Sequence, residues 1–563
     1  MKLTSLRTKN NIEIPIGKFT VLVGPNNVGK SQTLKDIHSK MVSGQQTPTT
    51  IVDHLEIEKP ATFEELLVGL KVFDDPKHMG QKIVRGIGSN LRSGDEIRIN
   101  YQDIRSQFDR SPSLDFTFGN ISKYRVSYLD ASSRLQVAQS VEAHNPHTQA
   151  PQNLLQGLFS SEGEIENTLR SAFGAAFGMD IRLDYSGMTR LCMRVAKEFG
   201  DIDPDPRKAY SEFRNHVQLD NQGDGFRSFV GVVLSLLLSE GRVVLLDEPE
   251  AFLHPAQARQ LGYWIATHAG NVPGQIIVAT HNANFLSGIL TSGQEVDIYR
   301  INRQEDNTTY TRISPEATLA LATSPILSSQ RVLEAIFHKG VVVCEADSDR
   351  AVYQTVAAKS LSNQDMLFIH AHNKQTIPRV VSLLKNAEIP VCAIVDMDIL
   401  NSIDEFRESF QAFRHVDDGS ITALQKKLSE NINKADSSHV LQQLSKNLSE
   451  LNAQLGEGKH GLAGARGALN RIKSEVTAWH DLKLGGLNNL DGEPKQIVEQ
   501  LINISKSFGL FIVPVGQLEG WITLGTTQKN KWIVLALESI NDGNIPDKLV
   551  AFVRDNISFL GSQ

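Results

Sequence analysis

One glycine-rich loop and two acidic pairs carry residue types whose spacing could do chemistry. The loop, residues 24–31, has the sequence GPNNVGKS and matches G-x-x-x-x-G-K-[ST] without a mismatch. In such a loop the glycines let backbone N–H groups surround phosphate oxygens, and the start of the following helix adds positive potential. We expect Lys30 to reach the β- and γ-phosphates and the Ser31 hydroxyl to ligate Mg²⁺. The loop therefore predicts a nucleotide site.

The other half of this pocket is predicted where the apolar run VVLL ends in DEPE. Asp247 would hold Mg²⁺ through water, and Glu248 would polarise the attacking water. His281 follows the apolar run QIIVAT, where one class of ATPases has a γ-phosphate sensor. A single histidine is more often structural, but this position favours a functional role.

The two acidic pairs lie at the ends of two predicted strands. Glu345 and Asp349 follow strand 340–344, and Asp396 and Asp398 follow strand 390–395. The carboxyl ends of parallel strands form the edge where α/β folds bind ligands, and the period of two aims both aspartates to one side. Clustered carboxylates repel unless cations neutralise them, and oxygen ligands suit Mg²⁺ or Mn²⁺ rather than zinc. Two such ions can activate water and stabilise the leaving oxygen in phosphodiester cleavage.

Each acidic pair taken alone has a structural alternative. Asp396 and Asp398 could form a solvated strand end. Glu345 and Asp349 could form a helix N-cap with an acidic first turn. Both pairs together, at the interval of a βαβαβ pattern, favour the metal site.

Helices that alternate with buried strands predict two parallel α/β regions to position these residues. In the first region the predicted elements are strand 19–23, helix 34–41, helix 226–238, strand 242–246, helix 255–268 and strand 275–279. In the second they are strand 340–344, helix 348–359, strand 366–370, helix 377–387, strand 390–395, strand 510–515 and a helix near 532–540.

The remaining stretches have weaker patterns. Residues 61–215 contain predicted helices 63–70 and 152–177 and no recognisable motif, which is typical of an insertion. Residues 404–505 are predicted to be mostly helical. They include an apolar seam long enough for a helical hairpin or a dimer contact, formed by Leu441, Leu444, Leu448, Leu451 and Leu455.

Composition excludes several classes of protein. A chain of 563 residues predicts about three or four folding units. Its three cysteines are too few and too scattered for a disulfide framework or a zinc site. The longest apolar run has ten residues, whereas a membrane span needs about 20, and the start lacks an apolar leader. We therefore expect a cytoplasmic protein without membrane segments. The net charge of −7 does not decide whether a local basic groove binds nucleic acid.

The first region resembles the ABC-type ATPases of the DNA repair and chromosome-structure group. The resemblance rests on the order of the phosphate loop, the glycine-rich loop 222–228, LLDEPEAFLHP and ATHN. In that family a signature loop from one protomer completes the ATP site of the other. Loop 222–228 departs from the usual LSGGQ, with Phe226 where Gln or Glu often stands. The resemblance implies the nucleotide-binding residues Gly24, Asn26, Asn27, Gly29, Lys30, Ser31, Gln32 and Asp247.

The second region resembles a TOPRIM domain, which has a glutamate after its first strand and a DxD after its third. An ABC-type ATPase followed by a TOPRIM domain is similar to the OLD (overcoming lysogenisation defect) family. That family includes the nuclease subunit of Gabija phage defence and effectors attached to some retrons. The resemblance implies metal ligands in the TOPRIM domain at Glu345, Asp349, Asp396 and Asp398, and in the ATPase at Ser31 and Asp247.

Two later positions also match the family. Glu519 corresponds to a late acidic residue, and a catalytic lysine is expected at the start of the following helix. We predict Lys531 for this role rather than Lys529, because a cation there could stabilise charge on the phosphate in the transition state. The alternative for Lys531 is an ordinary solvated lysine.

The predicted fold class is α/β, with an ABC-type P-loop ATPase that contains a helical insertion, followed by a Rossmann-like TOPRIM domain with a helical insert. The ATPase core is predicted at 1–60 and 216–315, and the insertion at 61–215 is a candidate for dimerisation. A linker is predicted at 316–339, the TOPRIM domain at 340–403 and 506–563, and its insert at 404–505.

The predicted function is an ATP-binding, metal-dependent DNA endonuclease or nickase of OLD type that serves anti-phage defence. Its expected cofactors are ATP and Mg²⁺ or Mn²⁺. Its expected partners are DNA, further copies of the chain as a dimer or tetramer, and a second defence-operon product: a helicase-like protein, or a reverse transcriptase with its RNA and DNA.

Two other classes of protein stay open at this point. One is a repair or structural ATPase whose TOPRIM domain is a non-cleaving scaffold, against which the intact set of four carboxylates argues. The other is a topoisomerase- or primase-like enzyme, for which the sequence offers neither a recognisable nucleophilic tyrosine nor a zinc-binding module.

Overall fold

The computed structural model describes residues 1–111, 120–161, 163–304, 307–314, 317, 320, 333–362, 365–414, 419–457, 461–475, 478–526 and 529–561. The chain forms two compact units, Met1–Phe337 and His338–Gln563. The division falls within the segment 316–339 that was predicted as a linker. No helix in the described ranges has both the length and the apolar composition of a membrane span.

The first unit is a mixture of strands and helices. Its strands are β1 (Lys2–Thr8), β2 (Glu13–Pro15), β3 (Phe19–Val23), β4 (Val52–Glu58), β5 (Lys71–Asp74), β6 (Gln81–Ile87), β7 (Gly94–Asn100), β8 (Val126–Leu129), β9 (Val141–Glu142), β10 (Asp180–Asp184), β11 (Arg190–Ala196), β12 (Val217–Gln218), β13 (Val243–Asp247), β14 (Gln275–Ala279), β15 (Asp297–Gln304) and β16 (Asn307–Arg312). Its helices are α1 (Lys30–Ser43), α2 (Phe63–Leu66), α3 (Tyr101–Arg110), α4 (Ala131–Arg134), α5 (Leu154–Ser160), α6 (Gly163–Phe177), α7 (Pro206–Phe213), α8 (Asp224–Leu237), α9 (Pro255–His268) and α10 (Ala283–Thr291).

A six-stranded sheet forms the centre of the first unit. Its order is β16-β15-β3-β14-β13-β8, in which β16 is antiparallel to β15 and the other neighbours are parallel. Every residue of β3, β13 and β14 is buried, because their mostly apolar runs are covered on both faces. The carboxyl ends of these three strands share one edge, which carries the phosphate loop, Asp247 and His281. This sheet confirms the predicted parallel α/β fold.

The stretch predicted as a helical insertion contains strands as well as helices. β5, β6 and β7 form an antiparallel sheet, and β10, β11 and β12 form another in which β9 also pairs with β11. β8 lies within the same stretch but pairs with β13 as the edge strand of the central sheet. Its four residues are too few for a periodic pattern to identify it in the sequence. The predicted helix 152–177 consists of two helices, α5 and α6, because the backbone at Ser161 has an extended conformation that ends the first helix.

Helices α9 and α10 cross at two glycines. A Cβ atom added to Gly288 would overlap the carbonyl oxygen of Arg259, and one added to Gly262 would overlap that of Phe285. The backbones of the two helices are therefore in direct contact where they cross. A side chain at either glycine would push the helices apart.

Gly288→Ala should lower the free energy of unfolding of the first unit by about 1–3 kcal/mol, because a backbone oxygen cannot move aside as a flexible side chain can. The matched control is Gly270→Ala, where an added Cβ would meet no atom within 4 Å. Thermal unfolding of both variants tests this contact, and equal melting temperatures would contradict it.

The second unit is built on four parallel strands in the order β18-β17-β19-β20. The strands are β17 (Gly340–Cys344), β18 (Met366–His370), β19 (Val391–Val395) and β20 (Leu510–Ile512). The helices are α11 (Asp347–Ser360), α12 (Ile377–Asn386), α13 (Ile403–Gln411), α14 (Ser420–Gly456), α15 (Leu462–Glu475), α16 (Ala478–Gly485), α17 (Gly492–Phe508), α18 (Lys529–Asn541) and α19 (Asp547–Gly561). Short 3₁₀ helices in the two units span Ile121–Tyr124, Leu219–Asn221, Ala335–Phe337, Lys374–Thr376, Met397–Asn401, Gly486–Asn489 and Leu518–Trp521.

The helical insert lies between β19 and β20 and consists mainly of α14, α15, α16 and α17. The leucine seam predicted on it is only partly buried in this chain. Leu451 is buried, whereas Leu448 and Leu455 are each 40% exposed. The side chain of Leu441 lies outside the described residues. One face of the sheet packs against α11, α18 and α19 through a buried core that includes Val352, Trp532 and Leu549.

Candidate functional site

The phosphate loop connects β3 to α1 in a conformation that requires glycine. Gly24 and Gly29 have φ of 138° and 105°, and Asn27 also has a positive φ of 63°. A Cβ atom at Gly24 would overlap the carbonyl oxygen of Ile301. A tightly curled loop that opens a helix presents backbone N–H groups to an anion, as the sequence motif predicted.

Lys30 is folded back onto the loop. Its Nζ donates hydrogen bonds to the carbonyl oxygens of Gly24 at 2.9 Å and Pro25 at 2.7 Å, and the residue is 7% exposed. Burial lowers the pKa of Lys30 to about 8, although the nearby carboxylates Glu248 and Asp247 oppose this. Phosphate oxygens could replace the two carbonyls as acceptors for the ammonium group.

Ser31 and Asp247, predicted to share a Mg²⁺ ion, are in direct contact. The Ser31 hydroxyl donates to Oδ1 of Asp247 at 2.8 Å. The Tyr128 hydroxyl, on β8, donates to Oδ2 of the same carboxylate at 2.9 Å. Burial and the charge of Asp247 raise the pKa of Tyr128, so that this group stays a donor. Tyr128 was not predicted from the sequence.

Glu248 and His281 form a pair at the same edge of the sheet. Nδ1 of His281 lies 2.8 Å from Oε1 of Glu248, and both side chains are partly exposed. This hydrogen bond lowers the pKa of Glu248 and raises that of His281. Glu248 also has a φ of 51°, which is a left-handed conformation. Non-glycine residues with this conformation are strained and cluster at functional sites. An ionised carboxylate held by an imidazole can polarise a water molecule.

Arg134 holds the backbone of the turn that carries Asp247 and Glu248. It is fully buried and donates to the carbonyl oxygens of Asp247 at 2.6 Å and Glu248 at 2.7 Å. Its Nε also donates to Ser228 Oγ, on α8, at 3.1 Å. The guanidinium therefore connects the turn that carries the acidic residues to α8, which begins at Asp224 and so includes most of the stretch predicted as loop 222–228. Phe226, which departs from the family pattern in that loop, packs edge-on against Phe177.

The second unit brings the four predicted carboxylates together. Glu345 follows β17 and Asp349 lies in the first turn of α11, while Asp396 and Asp398 follow β19. Burial and the charges of Asp398 and Asp349 raise the pKa of Glu345. Burial and the charges of Asp349 and Glu345 raise that of Asp396 well above its usual value. Because β17 and β19 are adjacent parallel strands, the residues that follow them lie at the same edge of the sheet.

Local structure around these carboxylates differs from the prediction in two ways. β19 ends at Val395 and a 3₁₀ helix follows, so the alternation of a strand, from which Asp396 and Asp398 were expected to face one side, does not extend to these residues. Asp349 is both a cap and a member of the cluster. Its Oδ2 accepts a hydrogen bond from the Ala346 N–H at 3.0 Å.

Two oxygens of the cluster are buried without a hydrogen-bond donor among the described residues, Oε2 of Glu345 and Oδ1 of Asp398. Bare, mutually repelling carboxylate oxygens are the donor set that a hard divalent cation prefers. As the side chains stand, no three His, Cys, Asp or Glu groups in the described ranges converge closely enough to hold a metal ion. The donor chemistry therefore fits Mg²⁺ or Mn²⁺, and the side chains would have to converge on the ion.

The late residues lie near the same cluster. Burial raises the pKa of Asp349, and the charge of Glu519, in the 3₁₀ helix Leu518–Trp521, adds to that rise. The charge of Lys529, at the start of α18, lowers that pKa. Lys531 has an exposed side chain two residues further along α18, about 200° around the helix. The role of Lys531 stays a prediction, and Lys529 is the lysine whose charge reaches Asp349.

Two family models match the chain. Residues 193–287 match the family described as "AAA domain, putative AbiEii toxin, Type IV TA system". Residues 336–398 match the TOPRIM domain of overcoming lysogenization defect protein-like proteins. The chain joins an ATPase domain to an OLD-like TOPRIM domain. This order of domains matches the ATPase–TOPRIM architecture of the OLD family, as the resemblance predicted.

The solved structures that align with the chain include SMC heads. The SMC head domain from Thermotoga maritima is 14% identical and aligns over 56% of this chain and 100% of its own, with a TM-score of 0.28. The Smc head domain from Pyrococcus furiosus, with an extended coiled coil and bound to the C-terminal domain of ScpA, is 12% identical. It aligns over 57% of this chain and 98% of its own, with a TM-score of 0.33. No curated protein matches the sequence.

The matched ranges cover most of the two sites. The TOPRIM match contains all four carboxylates, Glu345, Asp349, Asp396 and Asp398, and the ATPase match contains Asp247, Glu248 and His281. The phosphate loop lies outside the matched range and rests on its own motif and geometry. An ATPase and an OLD-like TOPRIM domain together support an OLD-type nuclease, and domains of these kinds generally use ATP and divalent metals.

Glu250 is a buried acid of the ATPase domain that the sequence reasoning did not select. It is 4% exposed, Oε1 accepts a hydrogen bond from the Thr280 hydroxyl at 2.7 Å, and Oε2 has no donor among the described residues. Burial raises its pKa from 4.5 to about 7. Thr280 precedes His281, so Glu250 holds the turn that carries the histidine.

Glu250→Gln should change the pH dependence of stability. A folded-state pKa above the unfolded value means that the folded protein binds more protons between about pH 4.5 and 7, so wild type loses stability as the pH rises through this window. Glutamine carries no charge, and the variant should therefore gain up to about 3 kcal/mol over wild type at pH 8 but little at pH 4.5. Melting temperatures across this range measure the difference. The exposed Glu295→Gln serves as control, and parallel curves for Glu250→Gln and wild type would contradict the prediction.

Proposed function

We propose that this protein is an ATP-binding, divalent-metal-dependent endonuclease or nickase of OLD type that acts on DNA. One observation carries the proposal: four carboxylates lie along the carboxyl edge of the adjacent strands β17 and β19, and two of their buried oxygens have no donor among the described residues. Buried carboxylates that repel one another destabilise the fold, so their presence is best explained by a divalent cation that binds there.

The cleavage site would use the residues of the TOPRIM domain. Glu345, Asp349, Asp396 and Asp398 would hold Mg²⁺ or Mn²⁺. Cations bound there would activate water and stabilise the leaving oxygen of a phosphodiester. Lys529, whose charge reaches Asp349, or Lys531 would place a positive charge where the phosphate gains negative charge.

The nucleotide site would use the residues around the phosphate loop. Lys30 would exchange its two carbonyl acceptors for phosphate oxygens, and Ser31 and Asp247 would share Mg²⁺. Glu248, held by His281, would orient the attacking water. We propose that nucleotide binding in this domain controls DNA cleavage.

The wider assignment follows from the OLD architecture. We propose a role in anti-phage defence, together with a second defence-operon product. The chain would act as a homo-oligomer with an even number of copies, since closed symmetric assemblies of this kind are the commonest.

Incubation of a supercoiled plasmid with the full chain tests the proposal. Mg²⁺ or Mn²⁺ should produce nicked or linear DNA, EDTA should prevent it, and ATP should change its rate. Absence of cleavage with either metal, with and without ATP, in a preparation that hydrolyses ATP would favour the non-cleaving scaffold instead.

A further inference from the structure

A lysine of the helical insert lies inside the acidic cluster. Nζ of Lys483, on α16, donates a hydrogen bond to Oδ2 of Asp398 at 2.7 Å. The positive charge of Lys483 also acts on Glu345 and Asp396, although burial and the neighbouring carboxylates still raise the pKa of both. The insert therefore places a positively charged ammonium group in the site where the proposed function places a metal ion.

The backbone around Lys483 is held firmly against the loops that carry the cluster. α16 packs against the 3₁₀ helix Met397–Asn401, and the neighbouring Leu482 is 2% exposed. A Cβ atom at Gly516 would overlap the carbonyl oxygen of Lys483. The Gly516 carbonyl in turn accepts a hydrogen bond from the Met397 N–H at 2.8 Å, next to Asp396. The position of Lys483 is thus part of the packed structure of the unit.

A second lysine near the cluster has a different partner. Nζ of Lys374 lies 3.8 Å from Oδ1 of Asp398, which is too far for a hydrogen bond, and 3.0 Å from Oε2 of Glu405. The Gln375 amide donates to Oε1 of Glu405 at 3.0 Å and holds that carboxylate in place. Lys374 is therefore directed to Glu405, whereas Lys483 is directed to Asp398.

An ammonium group and a divalent cation at one carboxylate oppose each other. They compete for the same oxygen lone pairs, and even on different oxygens of Asp398 their like charges repel across a few ångströms of partly buried space. A metal that binds Asp398 must displace Lys483 or tolerate its charge.

We propose that Lys483 is a built-in competitor cation, which neutralises Asp398 when no metal is bound and restrains metal loading of the cluster. The inference rests on the proposed metal site and adds a role for the helical insert. The insert thereby raises the concentration of divalent cation that is needed to fill the site, because it carries the lysine whose charge repels the metal ion.

Binding of Mn²⁺ alone to the full chain, measured by calorimetry without DNA or nucleotide, tests the inference. Lys483→Gln should bind Mn²⁺ about fivefold more tightly than wild type, as expected when a partly exposed ion pair no longer opposes binding. Lys483→Arg, which keeps the charge, should bind as wild type does. The matched control is Lys427→Gln, a lysine of the same insert that pairs with Glu493 at 2.6 Å on the surface. Its affinity should be unchanged.

A second readout separates competition from a merely structural role. In EDTA, Lys483→Gln should melt at a lower temperature than wild type, because Asp398 loses its counter-ion, and saturating Mn²⁺ should remove that difference. Unchanged or weaker Mn²⁺ binding by Lys483→Gln would overturn the inference and leave the proposed metal site intact. If wild type binds Mn²⁺ no more tightly than the Asp396→Asn variant does, the proposed metal site is wrong, and the inference falls with it.

Discussion

Asp396→Asn should abolish metal-dependent DNA cleavage and at the same time stabilise the chain in the absence of metal. Asp396 is partly buried, and desolvation together with the charges of Asp349 and Glu345 raises its pKa well above the usual value. The asparagine removes one of the like charges, so the melting temperature in EDTA should rise. It also removes an ionised oxygen ligand, and cleavage should fall by at least about 10³-fold, which corresponds to about 4 kcal/mol of lost transition-state stabilisation.

The two effects require two measurements and one control. Plasmid cleavage rates in Mn²⁺ report the first, and thermal unfolding in EDTA reports the second. Asp404→Asn changes an aspartate of the same unit whose side chain is 81% exposed and paired with Arg407. It should alter neither quantity by much. An Asp396→Asn variant that still cleaves at the wild-type rate would remove this carboxylate from the reaction.

Lys30→Met should weaken ATP binding by about two orders of magnitude, since charge-assisted hydrogen bonds to phosphate are among the strongest in proteins. Methionine keeps most of the aliphatic volume of the side chain, so the fold should survive. Lys35→Met, at an exposed position of the same helix α1, is the matched control. Equilibrium binding of a fluorescent ATP analogue measures the loss, and equal affinities in the two variants would contradict the role of Lys30.

The same Lys30→Met variant shows how nucleotide controls cleavage. If bound ATP restrains the nuclease, the variant should cleave plasmid in the presence of ATP as fast as wild type does without it. If ATP drives the reaction, the variant should be slow under both conditions.

The strands and motifs of both sheets were predictable because their signals are local. β3, β14, β17 and β18 have the predicted bounds, since each is a short and mostly apolar run. β8 was missed because four residues give no period.

The contacts that complete the sites were not predictable, because they join residues far apart in the chain. Tyr128 reaches Asp247 across 119 positions, Arg134 reaches the same residue across 113, and Lys483 reaches Asp398 across 85. Spacing within one motif carries no information on such pairs. The 3₁₀ helix that follows β19 is a further example, because the packing of Met397 against the Gly516 turn overrides the alternation of a strand.

The position of β3 in its sheet has a consequence for biosynthesis. Its neighbours are β14 and β15, which leave the ribosome about 250 residues later, or roughly 10–50 seconds at ordinary translation rates. During that time the uncharged segment FTVLV has no partner strand, and such segments are prone to aggregate. We expect the nascent chain to depend on chaperones over this interval, and its yield from cells to depend on how fast it is made.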